Sequence, residues 1–194
     1  MKNLSPLCLL LCLASCLPAK IPPSVTVKKD QFKSKQWKLA IVDFNYEFEG
    51  SGKEGANYYN SAGKDGGKVI AGMLATELNQ MDDLQIFERS SLEKLMEEQK
   101  LQYAGVVDEA TAVQLGKLVG ADAVMMGDVT DYLSWSNTGV TGSTISFTAR
   151  MIDIESSQLL LSTAITRIRV GVVPAQNVQL TTRELYESIL AELE

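Results

Sequence analysis

The chain has 194 residues, 24 acidic and 18 basic side chains for a net charge of −6, and no histidine. Without an imidazole, a Ser-His-Asp arrangement and any His-based metal site are excluded, and the acidic balance argues against a nucleic-acid partner. The cysteines are Cys8, Cys12 and Cys16, all near the start, so no disulfide framework is available to the rest of the chain.

One positive charge, Lys2, precedes an almost uninterrupted apolar run over residues 4–13. That order is the charged-then-apolar order of a secretory signal. The run is about half of the 20 or so apolar residues that a membrane-spanning helix needs. The stretch Leu13-Ala14-Ser15-Cys16 resembles the bacterial lipobox, in which small residues admit the peptidase and the cysteine sulfur takes a diacylglycerol. Residues 1–15 are therefore expected to be a lipoprotein signal peptide and Cys16 the lipidated first residue of the processed chain. Several acyl chains at about 0.8 kcal/mol per buried methylene hold a protein firmly on a bilayer. Leu17 follows the cysteine where aspartate often favours inner-membrane retention, which points to an outer-membrane anchor with the domain in the periplasm.

About 178 residues remain after processing, which suits one domain with a sizeable core. Residues 16–36 carry five lysines against Asp30, whereas residues 37–194 carry 12 basic and 23 acidic side chains. With Pro18, Pro22 and Pro23, the first stretch is expected to be an extended basic tether reaching some 60 Å at about 3.3 Å per residue. Such a tether would be drawn to anionic headgroups.

From Lys38 the chain reads as an α/β layer arrangement. Residues 38–44 form a continuous apolar run that fits a strand covered on both faces. Residues 47–66, rich in Gly, Ser, Asn and Tyr, read as a long surface loop. Val69, Ile70, Met73, Leu74 and Leu78 recur at helical spacing over residues 67–81, and residues 84–87 make a short strand. Ser90-Ser91-Leu92-Glu93 is a capping-box pattern opening a helix to about Lys100. Asp108 caps a third helix that Gly120 ends in the left-handed region. Strands are expected over residues 123–133, 145–151 and 159–170, with turns at 136–144 and 155–157. Thr181 or Thr182 caps a final helix bearing Leu185, Ile189, Leu190 and Leu193. The predicted order is β-α-β-α-α-β-β-β-α, a mixed sheet flanked by helices.

One set of segments is more specific than periodicity. Phe87-Glu88-Arg89-Ser90-Ser91-Leu92-Glu93-Lys94-Leu95-Met96-Glu97-Glu98-Gln99, then Leu115-Gly116-Lys117-Leu118-Val119-Gly120-Ala121-Asp122, then Met126-Gly127-Asp128-Val129 resemble the core of the CsgG family. Val42-Asp43-Phe44 and Asp153-Ile154-Glu155-Ser156 extend the likeness over residues 37 to about 170. The resemblance implies an outer-membrane lipoprotein with a CsgG-like periplasmic domain. In the family's secretion subunit, long β-hairpins from neighbouring copies make a transmembrane barrel. Each spanning strand needs about 9–11 residues; residues 128–152 and 159–180 are short for this, and the second segment contains Arg167, Arg169 and Pro174. The sequence thus fits a short member whose tethered domain binds a periplasmic or envelope protein, in cell-envelope assembly or secretion. The alternative is a subunit of an oligomeric secretion pore, and homo-oligomerisation is left open.

No enzyme and no cofactor are expected. Gly50-Ser51-Gly52-Lys53-Glu54-Gly55 matches GxGxxG, but Tyr58, Tyr59 and Asn60 follow where a helix should open. Residues 63–68 resemble a phosphate loop, yet Val69 stands where Ser or Thr must hold magnesium. Tyr46, Phe48, Tyr58 and Tyr59 cluster in and beside the glycine-rich loop and are the candidate partner-binding residues, because aromatic side chains dominate interface hot spots. Glu47, Glu49 and Glu54 would suit a basic partner face. The competing reading folds Phe44 and Phe48 onto the core, with the tyrosines shielding it.

Overall fold

The computed structural model describes residues 21–47, 65–87, 94, 109–137 and 139–194. Its elements are β1 (Ser24–Val27), α1 (Lys29–Phe32), β2 (Trp37–Ile41), α2 (Gly66–Leu78), β3 (Leu84–Ile86), α3 (Glu109–Val119), β4 (Ala123–Asn137), β5 (Val140–Asp153), β6 (Leu159–Val170) and α4 (Pro174–Leu193). The strands form one six-stranded mixed sheet in the order β1-β6-β5-β4-β2-β3. β2 runs parallel to β3 and to β4, and the remaining pairs are antiparallel. The α/β reading and the mixed sheet flanked by helices are as expected.

Alternation along the strands sets the two faces. Leu39, Met125, Ile145, Phe147, Ala149, Met151, Leu161 and Ile165 point inward with Ile70, Leu74 and Leu78 of α2 and Val178, Leu185 and Ile189 of α4. A smaller cluster on the opposite face joins Val42, Val124, Met126, Ile152 and Ile154 to Ala112 and Leu115 of α3. The apolar run near residue 40 is covered on both faces, as its composition required. Gly120, at φ +73°, follows the end of α3, the position where a left-handed residue stops a helix without strain.

Several boundaries differ from those expected. Residues 24–27, assigned to the tether, pair antiparallel with β6, Ser24 opposite Ala164 and Val27 opposite Leu161. Phe32 of α1 is completely buried, and its carbonyl accepts a 2.8 Å hydrogen bond from Trp37 Nε1. From Ser24 onward, therefore, the chain belongs to the fold; Val25, Val27 and Phe32 have apolar surface to bury, which a composition weighted toward lysine and proline masked. The glycine, serine and threonine tract at 136–144 is mostly strand: Asn137 pairs with Val140, and the ladder continues through Ser143. Threonine suits a pleated strand, and a tight connection suffices to reverse the chain. The last helix begins at Pro174, after extended Val173, because proline is preorganised for a first helical position. Thr181 and Thr182 lie buried within it, and Thr182 Oγ1 donates back to the Val178 carbonyl at 3.0 Å. Of the helix expected from Ser90 to about Lys100 only Lys94 is described, in helical conformation.

Candidate partner-binding surface

At the end of β2 the chain leaves the sheet toward the candidate loop. Phe44 is 2% exposed and packs on Phe147 at 6.0 Å between ring centroids. Two glycines make this passage possible. A Cβ on Gly67 would lie 1.9 Å from the Phe44 carbonyl oxygen, and one on Gly127 would lie 2.2 Å from the Thr148 oxygen and 2.7 Å from the Phe44 ring. Of the glycines in residues 63–68, Gly67 thus seats α2 against the Phe44 backbone and Gly66 faces the Tyr46 and Tyr132 rings. Asn45 then bridges to β4, donating its side-chain amide to Asp128 Oδ1 at 3.0 Å.

Tyr46 follows, half-buried, with its ring edge-on to Tyr132 at 6.3 Å and 88°. Its hydroxyl donates to the Tyr132 carbonyl at 3.3 Å. Burial, then the nearby Asp131 charge, raises the Tyr46 hydroxyl above the ordinary tyrosine value; burial and Asp65 do the same to Tyr132. Phe44 thus behaves as the packing alternative required, and Tyr46 is half-buried against Tyr132. Phe48, Tyr58, Tyr59, the GxGxxG stretch and Cys16 lie outside the described residues.

A second surface is not evident from the sequence. Past the cover of α3, the outer face of β1, β6, β5 and β4 is open and rich in hydroxyls. Thr130 Oγ1 donates to Ser146 Oγ at 2.8 Å, and Ser146 and Thr166 share a further 2.8 Å contact. Beside this row, Ser24, Thr26, Asp128, Thr148, Arg150 and Ser162 line a shallow hollow of about 380 Å³. Toward the β4–β5 turn the face becomes apolar. Val140, Ile168 and Val170 are exposed with Val173 just beyond, and Trp135 lies over Gly142, whose Cβ would meet its ring at 2.3 Å.

Behind that apolar edge is a polar interior. Arg167, an obstacle to a spanning strand, faces inward with Arg169 onto α4. Its Nε donates to Glu184 Oε2 at 3.0 Å and its Nη2 to Oε1 at 2.5 Å, the fork-to-carboxylate geometry that guanidinium favours. Arg169 donates to Glu184, Asn177 and Thr181. Burial pulls its pKa down, while the Glu184 carboxylate acts to raise it. Asn177 is completely buried and donates to the Ser143 carbonyl and hydroxyl and to the Arg167 carbonyl.

Lys28, Lys29, Lys33 and Lys35 of the expected tether are elsewhere. Lys28 donates its backbone N–H to Leu160, and Gln31 bonds Gln158, which sets residues 28–35 at the β5–β6 turn. Lys35 there pairs with Asp122 at 3.3 Å and lies 4.3 Å over the Trp37 ring. Among the described residues no three His, Cys, Asp or Glu side chains form a metal cluster.

Comparison with solved structures shows that this α/β fold is shared with known domains. The lipoprotein GNA1162 from Neisseria meningitidis superposes with a TM-score of 0.57 at 16% identity, covering 81% of this chain and 97% of that one. PelC from Paraburkholderia phytofirmans, crystallised as a dodecamer, gives 0.51 at 16% identity over 84% of this chain and 94% of that one; a single-substitution variant of PelC, also a dodecamer, gives 0.53 at 13% identity over 89% and 98%. At these identities the likeness is one of fold. The sequence of residues 24–166 matches the family described as curli production assembly/transport component CsgG, and the chain belongs to that family. No curated protein matches the sequence.

Proposed function

We propose that this protein is an outer-membrane lipoprotein anchored through acylated Cys16, whose periplasmic domain binds an envelope protein during assembly or secretion without catalysing a reaction. The observation that carries the reading is the CsgG-family fold joined to a chain that starts with a signal-like segment and the lipobox-like Leu13-Ala14-Ser15-Cys16. Among the described residues no helix is long and apolar enough to cross a membrane. A second copy is a further partner, as PelC forms dodecamers.

A binding domain is favoured over a pore subunit by where the long hairpin goes. β4 and β5 are longer than expected, but Ser143 is completely buried beneath Asn177. Only residues 139–142 lie beyond it on that side of the turn, against the roughly 9–11 that a spanning strand takes. The test is metabolic labelling with a fatty-acid analogue, followed by copurification from the native envelope and planar-bilayer recording. Labelled protein that brings down an envelope partner and conducts no current is the expected result. Label retained by Cys16→Ala would sink the anchor, and reproducible channels would replace the binding role with a pore.

A further inference from the structure

Three observations converge on the hairpin end of the sheet. The first is polarity turned inside out. Along β6, Leu161, Thr163, Ile165, Arg167 and Arg169 share the inward face, so at this end the guanidiniums are inside while Ile168 and Val170, 67% and 66% exposed, point out. Val173 at 63% and Val140 at 47% continue the apolar rim. The second is charge. Residues 132–149 and 170–182 contain no charged side chain, although residues 37–194 hold 23 acidic groups against 12 basic. Arg169, which lies between these stretches, is matched by Glu184.

The third is the path of the chain. Only residues 17–23 separate Cys16 from β1, and Ser24 lies opposite Ala164 in an antiparallel ladder. Followed backward, the chain at Ser24 heads along β6 toward Val170. The eight steps from Ser24 to Cys16 span at most about 26 Å, and the six from Ala164 to Val170 about 20 Å. Pro22 and Pro23 favour extended backbone over a reversal. A connection of this length, if extended, would let the anchor reach just past the hairpin end, while the lysines of residues 28–35 lie at the other.

We infer that Val140, Ile168, Val170 and Val173, with Trp135 beside them, rest in the interfacial layer of the bilayer that holds the acyl chains, as a second, protein-borne membrane contact. The inference rests on the lipid-anchor reading. An acidic surface is repelled by anionic headgroups; the apolar rim, on stretches without charged side chains, meets them with less opposition, and tryptophan is enriched at this depth. A connection this short would keep this end close to the membrane.

The two tryptophans make the test. Trp37 is 3% exposed, at the far end of the sheet, and serves as the internal reference for Trp135. Acylated processed protein is placed on phosphatidylcholine vesicles brominated near the top of their acyl chains, and fluorescence quenching is compared with that of Trp135→Phe. Quenching several-fold greater in the wild type is expected. Ile168→Asp with Val170→Asp, both at exposed positions, should leave the protein vesicle-bound and folded but reduce quenching to the Trp135→Phe level. An acylated, vesicle-bound wild type no better quenched than Trp135→Phe would overturn the inference alone. So would quenching undiminished in the double variant, or Val140→Cys crosslinks between copies with Trp135 unquenched. A processed chain shown by mass to carry no acyl group would overturn the anchor and this contact together.

Discussion

The two ends of the sheet solve the same packing problem in opposite ways. Where β5 turns into β6, Phe32 and Trp37 are buried and Lys35, Lys38 and Asp122 gather around them, the ordinary order of apolar inside and charge outside. At the hairpin end, Arg167, Arg169, Glu184 and Asn177 lie inside, and valine and isoleucine form the rim. Burial at the first end draws its stability from surface removed from water. At the second, stability depends on a polar network being complete, since an unmatched buried group costs more than a matched one contributes.

The largest break should come from Glu184→Ala. It leaves two guanidiniums facing inward without their carboxylate, and removing one partner of a buried pair typically costs about 3–5 kcal/mol. Urea denaturation measures this as a lowered midpoint. Replacing the whole group, with Arg167→Met, Arg169→Met and Glu184→Leu together, should recover most of the loss, because a buried ion pair and a well-packed apolar substitute are often near equal. A single variant as stable as wild type would mean that water reaches the pair. Asn177→Leu should fall next, at roughly 2 kcal/mol, since it removes the amide donor to the Ser143 and Arg167 carbonyls and the oxygen that accepts from Arg169, at a site closed to solvent. A thermal midpoint within error of wild type would refute that ranking.

The turn end is legible where composition and period agree. The run at residues 38–44, the 3.6-residue period of α2 and the glycine after α3 each follow from local rules, and the family resemblance fixes their arrangement. The strand inside the expected tether is not legible, because β1 has four residues, too few for a period, and its apolar faces are Val25 and Val27 alone. The threonines of 141–148 are strand formers that, interleaved with glycine, look like a turn. The polar network carries a readable signal: Arg167 and Arg169 fall on the same alternation as Leu161 and Ile165. Only the partner, Glu184 on a helix 15 residues further, could explain that placement, and period alone does not pair a strand with a helix. Composition finds Tyr46, yet its packing on Tyr132 depends on β4 passing beneath it.

Between the two ends lies one group with neither solution. The Thr163 hydroxyl is buried on the inner face of β6 and, among the described residues, is a side-chain oxygen with no hydrogen-bond partner. Thr163→Val replaces it with a methyl of similar shape and removes the cost of keeping it from water, so stability should rise by about 1 kcal/mol. A higher melting temperature is the readout. A fall would show that the hydroxyl is hydrogen-bonded in solution.

The smallest effect belongs to the charged rim at the turn end, and it is distinguished by its dependence on pH. Asp122 Oδ2 accepts the Lys38 backbone N–H at 3.0 Å, and Oδ1 accepts Lys35 Nζ at 3.3 Å. The backbone hydrogen bond lowers its pKa most; burial opposes this, and Lys35 and Lys38 assist. A carboxyl whose folded value lies below its unfolded one contributes stability above the unfolded value and loses it as pH falls through the folded value. Asp122→Asn keeps an oxygen acceptor and removes the charge, so at pH 7 it should cost under about 1 kcal/mol, as expected for a partly exposed pair. The gap between wild type and variant should hold down to the ordinary carboxylate range and close below it, which chemical denaturation at stepped pH will measure. A gap that stayed constant into strong acid would assign the effect to hydrogen-bond geometry rather than to the proton, and the rim would then owe nothing to charge.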